Sequence, residues 1–213
     1  MQTKKHRNIA AIVLVTVGIL VLVAAAAVSL ARIISSGRRL DEDSIPVSAD
    51  NAFLVASSYE ILGYIKNDDY AALSKIAHPT YGVLFSPYAT IAEASAKVFT
   101  PTAILAFATD KTEYVWGVRD GSAEPIALTP REYFAEFVFD RDYTHASVIG
   151  VNRIVKTGNS LENITDVRPN VRFVDFHIPA DTEGSDWGSL RLGFEEYNGN
   201  LMLSIILHSE RTV

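Results

Sequence analysis

The sequence predicts an α+β fold in which helices come first and a sheet of long antiparallel strands comes last. After residue 48 the apolar residues recur with helical spacing, whereas in the last third they alternate with polar residues as strands do. Asn198-Gly199, a dipeptide typical of two-residue hairpins, joins the last two strands. Helices followed by strands are the order of α+β proteins, so we expect one domain of helices packed on an antiparallel sheet.

The amino-terminal segment carries a separate signal, that of a membrane anchor. Ile9 to Ala31 is a stretch of 23 residues without a charge. As a helix it would be about 35 Å long, enough to cross a hydrocarbon core of about 30 Å. The apolar region of a cleaved signal peptide is shorter, about 7–15 residues, although the small residues Ala24 to Ala27 leave that alternative open. We therefore expect a transmembrane signal-anchor helix at residues 9–31, after a short cytoplasmic tail at residues 1–8.

The orientation of this anchor depends on the basic residues near its two ends. Three precede the span and three follow it: Lys4, Lys5, Arg7, Arg32, Arg38 and Arg39. The first group lies closer to the membrane and is joined by the terminal amine. This favours a single-pass protein of the cell membrane with a cytoplasmic amino terminus and the carboxyl-terminal domain outside. The lipid bilayer is then a partner of residues 9–31.

The rest of the chain is acidic and contains no cysteine. From Leu40 onward it carries 13 basic and 25 acidic side chains, a net charge of −12, which argues against nucleic acid as a partner. A chain without cysteine has no disulfide, thiolate metal site or cysteine nucleophile. Residues 32–48, rich in serine and charge, are interpreted as a stalk or linker. Residues 49–213 are long enough for one domain that is stabilised by its own core.

The first two helices of this domain are marked by capping residues and a proline. Ser48 or Asp50 can cap the first helix, whose apolar stripe extends over residues 54–65. The second is expected over residues 70–77 and ends before Pro79, because the residue that precedes a proline avoids the helical region.

Two further helices begin with a threonine cap followed by proline. One starts at Thr100-Pro101. The other starts at Thr129-Pro130, where Glu132 can reach back to the amide of the cap residue and complete a capping box. The apolar face of this second helix is expected to lie on the sheet. Strands are predicted at residues 83–85, 114–118, 126–128, 148–155, 171–178, 190–197 and 201–207.

This order of elements resembles the NTF2-like fold, a curved sheet wrapped over helices to form a cone. Several separated motifs are also similar to an uncharacterised group of bacterial exported or membrane-attached domains. They are GVLFSPY (82–88), YVWGVRDGSAEPIALTPREYFAEFVFD (114–140), IGVNRI with TGN (149–159) and DWGSLRLGFEEYNG (186–199). The resemblance covers nearly all of residues 49–213. It implies an NTF2-like fold and a domain outside the membrane, but it implies no activity. Members are often lipid-anchored through a cysteine, in whose place this chain has an apolar span.

Candidates for catalysis are few. Asp175 and His177 are two residues apart in one strand and so share a face. With Tyr114 they could supply the acid and base of a small isomerase or hydratase, an enzyme type that cones often host. Asp175, His177 and His208 could also meet across the sheet to bind a metal or move a proton. The polar outer face of a half-exposed sheet gives the same pattern, so we expect no catalysis, no metal and no cofactor.

Aromatic side chains are the candidate ligand-binding residues. Tyr81, Phe85, Tyr88, Trp116 and Trp187 could line the open end of a cone, since apolar pockets with a few polar groups are the usual binding sites. Aromatic residues more often form a core and its rim, and this alternative stays open. The expected function is a membrane-anchored extracytoplasmic module that binds a small molecule or a protein. The alternatives are the enzyme described above and a structural subunit of a membrane complex.

Overall fold

The structure, a computed structural model, describes residues 45–46, 48–93, 96–180 and 186–211. The expected tail and anchor and most of the stalk lie outside these residues. Within the described ranges no helix has the length and apolar character needed to cross a membrane.

Four of the five described α-helices begin where the sequence predicts, because their caps are local, whereas the last, Ile164–Val167, has no side-chain cap and was not predicted. Asp50 accepts a hydrogen bond from the Phe53 amide at 2.8 Å, and Thr129 with Glu132 forms the predicted capping box. The helix that begins at Pro130 continues after Tyr133 into a π-helical turn, Phe134–Val138, which carries most of its apolar face. In chain order the helices are α1 (Asn51–Lys66), α2 (Tyr70–Ile76), α3 (Pro101–Ala106), α4 (Pro130–Tyr133) and α5 (Ile164–Val167).

Most strands also lie near their predicted positions, although three were not foreseen at the given bounds. The strands are β1 (Ile45–Pro46), β2 (Val83–Ser86), β3 (Lys97–Phe99), β4 (Tyr114–Val118), β5 (Pro125–Leu128), β6 (Val148–Val151), β7 (Arg172–Ile178), β8 (Gly188–Tyr197) and β9 (Asn200–Glu210). β1 and β3 are missing from the prediction. β6 ends at Val151, four residues before the predicted Val155, because the φ of 50° at the next residue, Asn152, leaves the extended region.

Seven strands form one curved sheet, in the order β3-β2-β9-β8-β7-β6, with β1 paired to β9. The pairs are antiparallel except for β2 and β9, which run parallel. β8 and β9 are joined by the predicted hairpin turn, in which Asn198 and Gly199 have φ values of 52° and 80°. β4 and β5 form a separate hairpin. The predicted α+β class, with helices on a largely antiparallel sheet, is confirmed.

The two faces of the large sheet are covered by different parts of the chain. Helix α1 packs on one face, where the ring of Tyr59 lies 5.1 Å from the ring of Phe176 on β7. The other face is covered by residues 152–170, whose Ile164 joins a buried cluster with Leu84, Phe173 and strand β9. Both faces are therefore buried in their central part, which differs from the half-exposed sheet considered for Asp175 and His177.

A β-bulge in β9 changes the direction in which this strand's side chains point. Gly193 pairs with Ile205 but Phe194 pairs with Leu203, so Ser204 is an extra residue. Leu203 consequently shares the face of Phe194, whereas Ile205 faces the opposite side of the sheet. One strand thus contributes apolar side chains to both cores.

Candidate binding cleft

A cleft of about 400 Å³ opens where the chain leaves β2 and passes the β4–β5 hairpin. This volume is at the lower end of the roughly 300–1,000 Å³ that small-molecule pockets occupy. Three of the five aromatic candidates line it, namely Phe85, Tyr88 and Trp116. The rest of the lining comes from the end of β4, the β4–β5 turn, Ser86, Pro87, Thr90, Ala92, Ala96 and Ser160.

The wall that follows β2 is shaped by a serine and a proline. Ser86 donates its hydroxyl to the carbonyl of Tyr88 at 2.7 Å and closes a tight turn around Pro87. Pro87 has no N–H to continue the sheet, so the chain turns away from it. The proline ring faces Gly117 of β4, where an added Cβ would lie 3.2 Å from Pro87 Cγ. The glycine thus allows β4 to approach the segment that follows β2.

Phe85 and Trp116, which form the floor of the cleft, belong to the core. Phe85 is 0% and Trp116 1% exposed. Trp116 stacks on Tyr133 with ring centroids 3.8 Å apart, and its Nε1 donates to the Leu128 carbonyl at 2.9 Å. The faces of these rings are occupied by protein, so they offer the cleft little more than their edges.

Tyr88 is the one of the three aromatic candidates that remains half-buried. Its ring meets Phe137 edge to face at 6.0 Å, and its hydroxyl accepts a hydrogen bond from the Asp120 amide at 3.2 Å. Burial is the main cause that raises the pKa of the Tyr88 phenol above its ordinary value. Tyr88 therefore presents a neutral ring with a fixed orientation at the side of the cleft.

A second wall comes from a distant part of the chain and is tied to the first by side-chain hydrogen bonds. The Thr90 hydroxyl donates to the Leu161 carbonyl at 2.7 Å. Asn163 binds Ile91 twice, accepting from its amide at 2.8 Å and donating to its carbonyl at 3.0 Å. These contacts hold Ser160 at the edge of the cleft.

This second wall is anchored from behind by a buried ion-pair network. Arg191 on β8 is 0% exposed and donates from Nε to Asp175 Oδ2 at 3.1 Å. Its Nη2 donates to Glu162 Oε1 at 3.0 Å and its Nη1 binds the second oxygen, so the contact is bidentate. The Val155 amide donates to Asp175 Oδ2 at 2.8 Å. Residues 155–162 are therefore attached to the sheet at both ends.

Arg191 and Glu162 do not stand out in the sequence as a pair. Arg191 lies between two leucines in a strand that can pair with the strand of Asp175, and this pattern indicates a buried arginine. Glu162 gave no such signal, because it lies in irregular chain 29 residues from Arg191.

The other two aromatic candidates lie away from the cleft. Tyr81 is exposed and stacks on His78, with ring centroids 4.3 Å apart. Trp187 is buried, 5.7 Å from the ring of His177. It also covers Gly158, where an added Cβ would lie 3.2 Å from the indole. Tyr81 therefore covers a turn, and Trp187 belongs to the core.

The residues considered for catalysis are separated from the cleft. Asp175 and His177 share a face of β7, as predicted, but β9 and β8 lie between β7 and β2. His177 Nδ1 is 2.9 Å from Ser189 Oγ, and burial lowers the pKa of its imidazole. Tyr114 lies in the other sheet and donates to Asp110 at 2.8 Å, the main cause that raises the pKa of its phenol. None of the three lines the cleft.

His208 lies on the opposite face of the sheet from Asp175 and His177. Its Nδ1 donates to the Pro87 carbonyl at 3.1 Å, and its Nε2 is 3.5 Å from Asp140 Oδ1. Burial raises the pKa of the Asp140 carboxyl, but the interaction with His208 and other neighbours outweighs burial and holds the pKa below its ordinary value. The three candidates do not converge on one point.

The described residues contain no group of three or more His, Asp or Glu side chains placed to hold a metal ion. No protein-family model matches the chain, and no curated protein is similar enough to match it. The geometry of the cleft is accordingly the basis for a functional assignment.

Proposed function

We propose that this chain is a single-pass membrane protein whose extracytoplasmic domain, an NTF2-like cone, binds a ligand or a protein partner without catalysing a reaction. The observation that carries this proposal is the cleft beside β2. It has an apolar floor, two walls of separate origin and a few polar groups at its edge, which is the usual composition of a binding site.

The NTF2-like assignment is supported by the order of the elements. Two helices precede a short strand, further helices follow, and the longest antiparallel strands end the domain. Helix α1 packs across one face of the curved sheet. The membrane anchor is supported by the uncharged stretch at residues 9–31.

Binding is favoured over catalysis by the composition of the cleft. The described residues that line it include no histidine. The carboxylate of Asp175, the candidate base, already accepts hydrogen bonds from Arg191 and from the Val155 amide. Both bonds are made within the fold, and Asp175 does not line the cleft, so its carboxylate does not face a ligand bound there.

Blocking the cleft tests this proposal. Ala92 is exposed and lines the cleft, so Ala92→Trp should fill it without disturbing the core. The full-length protein in detergent micelles would be screened against small aromatic and aliphatic fragments by ligand-detected NMR. We expect some fragments to bind the wild type and to lose about tenfold or more in affinity to Ala92→Trp.

Ala71→Trp is the matched control, since Ala71 is exposed on α2 and does not line the cleft. It should bind the same fragments as the wild type does. Equal binding to all three proteins, or no fragment bound by the wild type, would contradict a binding function of this cleft.

A further inference from the structure

Two large apolar side chains stand exposed at or beside the cleft. Val118 on β4 lines it and is 56% exposed. Leu161, directly after Ser160 on the second wall, is 69% exposed. Single exposed apolar residues are ordinary, but a pair that flanks an apolar cavity marks a surface suited to a partner.

The charges around the cleft are predominantly negative. Asp120 lines the cleft. Burial is the main cause that raises the pKa of the Tyr88 phenol, and the negative charge of nearby Glu210 adds to it, whereas the positive charge of Arg119 lowers it. Arg119 is itself paired with Glu136, at 2.6 Å between Nη1 and Oε1. Three carboxylates therefore accompany one guanidinium, on a domain that carries a net charge of −12 from Leu40 onward. Such a field attracts basic partners and repels acidic ones.

We infer that the cleft binds a basic segment of a partner protein, with one apolar side chain of that segment inserted as an anchor. The anchor would meet the edges of Phe85 and Trp116 and the ring of Tyr88. Val118 and Leu161 would contact the parts of the segment that lie outside the cleft, and its lysines or arginines would face the carboxylates. This inference deepens the proposed function and rests on it.

The rim favours a peptide chain over the other occupants. A small molecule confined to the cleft would leave Val118 and Leu161 in water, whereas a chain that crosses the cleft would cover both. A second copy of this domain would bring two acidic surfaces together, which like-charge repulsion opposes. An anionic lipid surface is opposed by the same charge.

Short labelled peptides test the inference on the full-length protein in detergent micelles, with fluorescence anisotropy as the readout. The probe has a central leucine between lysines. We expect it to bind about tenfold or more tightly than the same peptide with alanine at the centre, because the anchor's apolar surface leaves water. Glutamate in place of the lysines should abolish binding, and added salt should weaken binding of the lysine peptide.

Rim variants locate the binding surface. Leu161→Ser and Val118→Ser should each weaken binding of the lysine peptide severalfold, since both remove apolar contact area outside the fold's core. Leu105 and Val115 are exposed to similar extents, 53% and 49%, and do not line the cleft. Leu105→Ser and Val115→Ser should therefore bind as the wild type does. All four variants should keep the wild-type melting temperature.

Three outcomes would overturn the inference. Peptide affinity that does not depend on the lysines or the central leucine would remove its chemical basis. Concentration-dependent dimers in analytical ultracentrifugation that Leu161→Ser dissolves would assign the rim to a second copy. If fragments bind and Ala92→Trp blocks them while no peptide binds, the cleft is a small-molecule site, so the proposed function stands and the basic partner is excluded.

Discussion

His78 shows how one side chain determines the turn that leads into β2. Its Nδ1 accepts hydrogen bonds from the Tyr81 amide at 2.9 Å and from the Thr80 amide at 3.2 Å. An accepting Nδ1 leaves the proton on Nε2, which lies 3.4 Å from the Glu196 carbonyl on β8. Gly82 completes the turn with a φ of 66°, where an added Cβ would lie 2.6 Å from a backbone oxygen. The stretch His78–Gly82 is therefore a turn held by the His78 side chain, and the ring of Tyr81 stacks on that side chain.

Replacing this acceptor should destabilise the domain. We expect His78→Ala to lower the free energy of unfolding by about 1–3 kcal/mol, because two backbone amides lose their partner. His78→Asn should recover part of the loss, since an asparagine side chain can accept from amides two and three residues ahead. Urea unfolding in detergent, followed by tryptophan fluorescence, measures the difference. An asparagine variant no more stable than the alanine variant would contradict the role given to Nδ1.

At the scale of elements, the second wall of the cleft is an irregular segment held by a few strong contacts. Residues 152–163 contain no helix or strand beyond the end of β6. Their position depends on Asp175 and Arg191 behind them and on Asn163 beside the first wall. A buried arginine stabilises such a segment only while both carboxylates accept from it, because a buried charge without a partner is costly.

The ion-pair network gives a prediction at this scale. Arg191→Met should destabilise the domain by about 3–5 kcal/mol, because Asp175 and Glu162 would remain without their cation. Arg191→Lys should rescue little, since a single ammonium cannot bind Glu162 in the bidentate geometry. Hydrogen exchange should show faster exchange of the Val155 amide in both variants. Full protection of that amide in Arg191→Lys would show that charge alone holds the wall.

At the scale of the whole molecule, the described domain is acidic and packs a sheet on both faces. The described residues from Ile45 to Arg211 form one compact unit by their contacts. We propose that this unit lies outside the membrane. Its negative surface would there attract basic segments of other proteins. The membrane arrangement can be tested separately from the cleft.

Cysteine labelling tests the arrangement, because the natural chain has no cysteine. Ser122 is exposed in the β4–β5 turn, so a membrane-impermeant maleimide should label Ser122→Cys in intact cells. Gln2→Cys, in the expected cytoplasmic tail, should react only after lysis. The reverse pattern, with Ser122→Cys protected until lysis, would contradict a domain outside the membrane.

Signals that act within a few residues were enough to predict most of the elements, but not strands β1 and β3 or helix α5. Asp50 and Thr129 bind amides three residues ahead, and Asn198-Gly199 needs only its own positive φ values. The class of the fold follows from the order of such elements. Phe85, Tyr88 and Trp116 were likewise predicted as candidates and do line one cleft, although the pattern did not show that the first and the last belong to the core.

What the sequence determined by itself is the caps and turns, whose hydrogen bonds close within a few residues, and most of the strands, whose apolar residues alternate with polar ones. Tertiary structure alone decided which surfaces meet. The bulge at Ser204 turns Ile205 to the other face of the sheet. Its position could not be predicted, because the residues around it are almost all apolar and suit either face. The cleft depends on Thr90 and Leu161, 71 residues apart, whose contact exists only after both have packed on the same sheet.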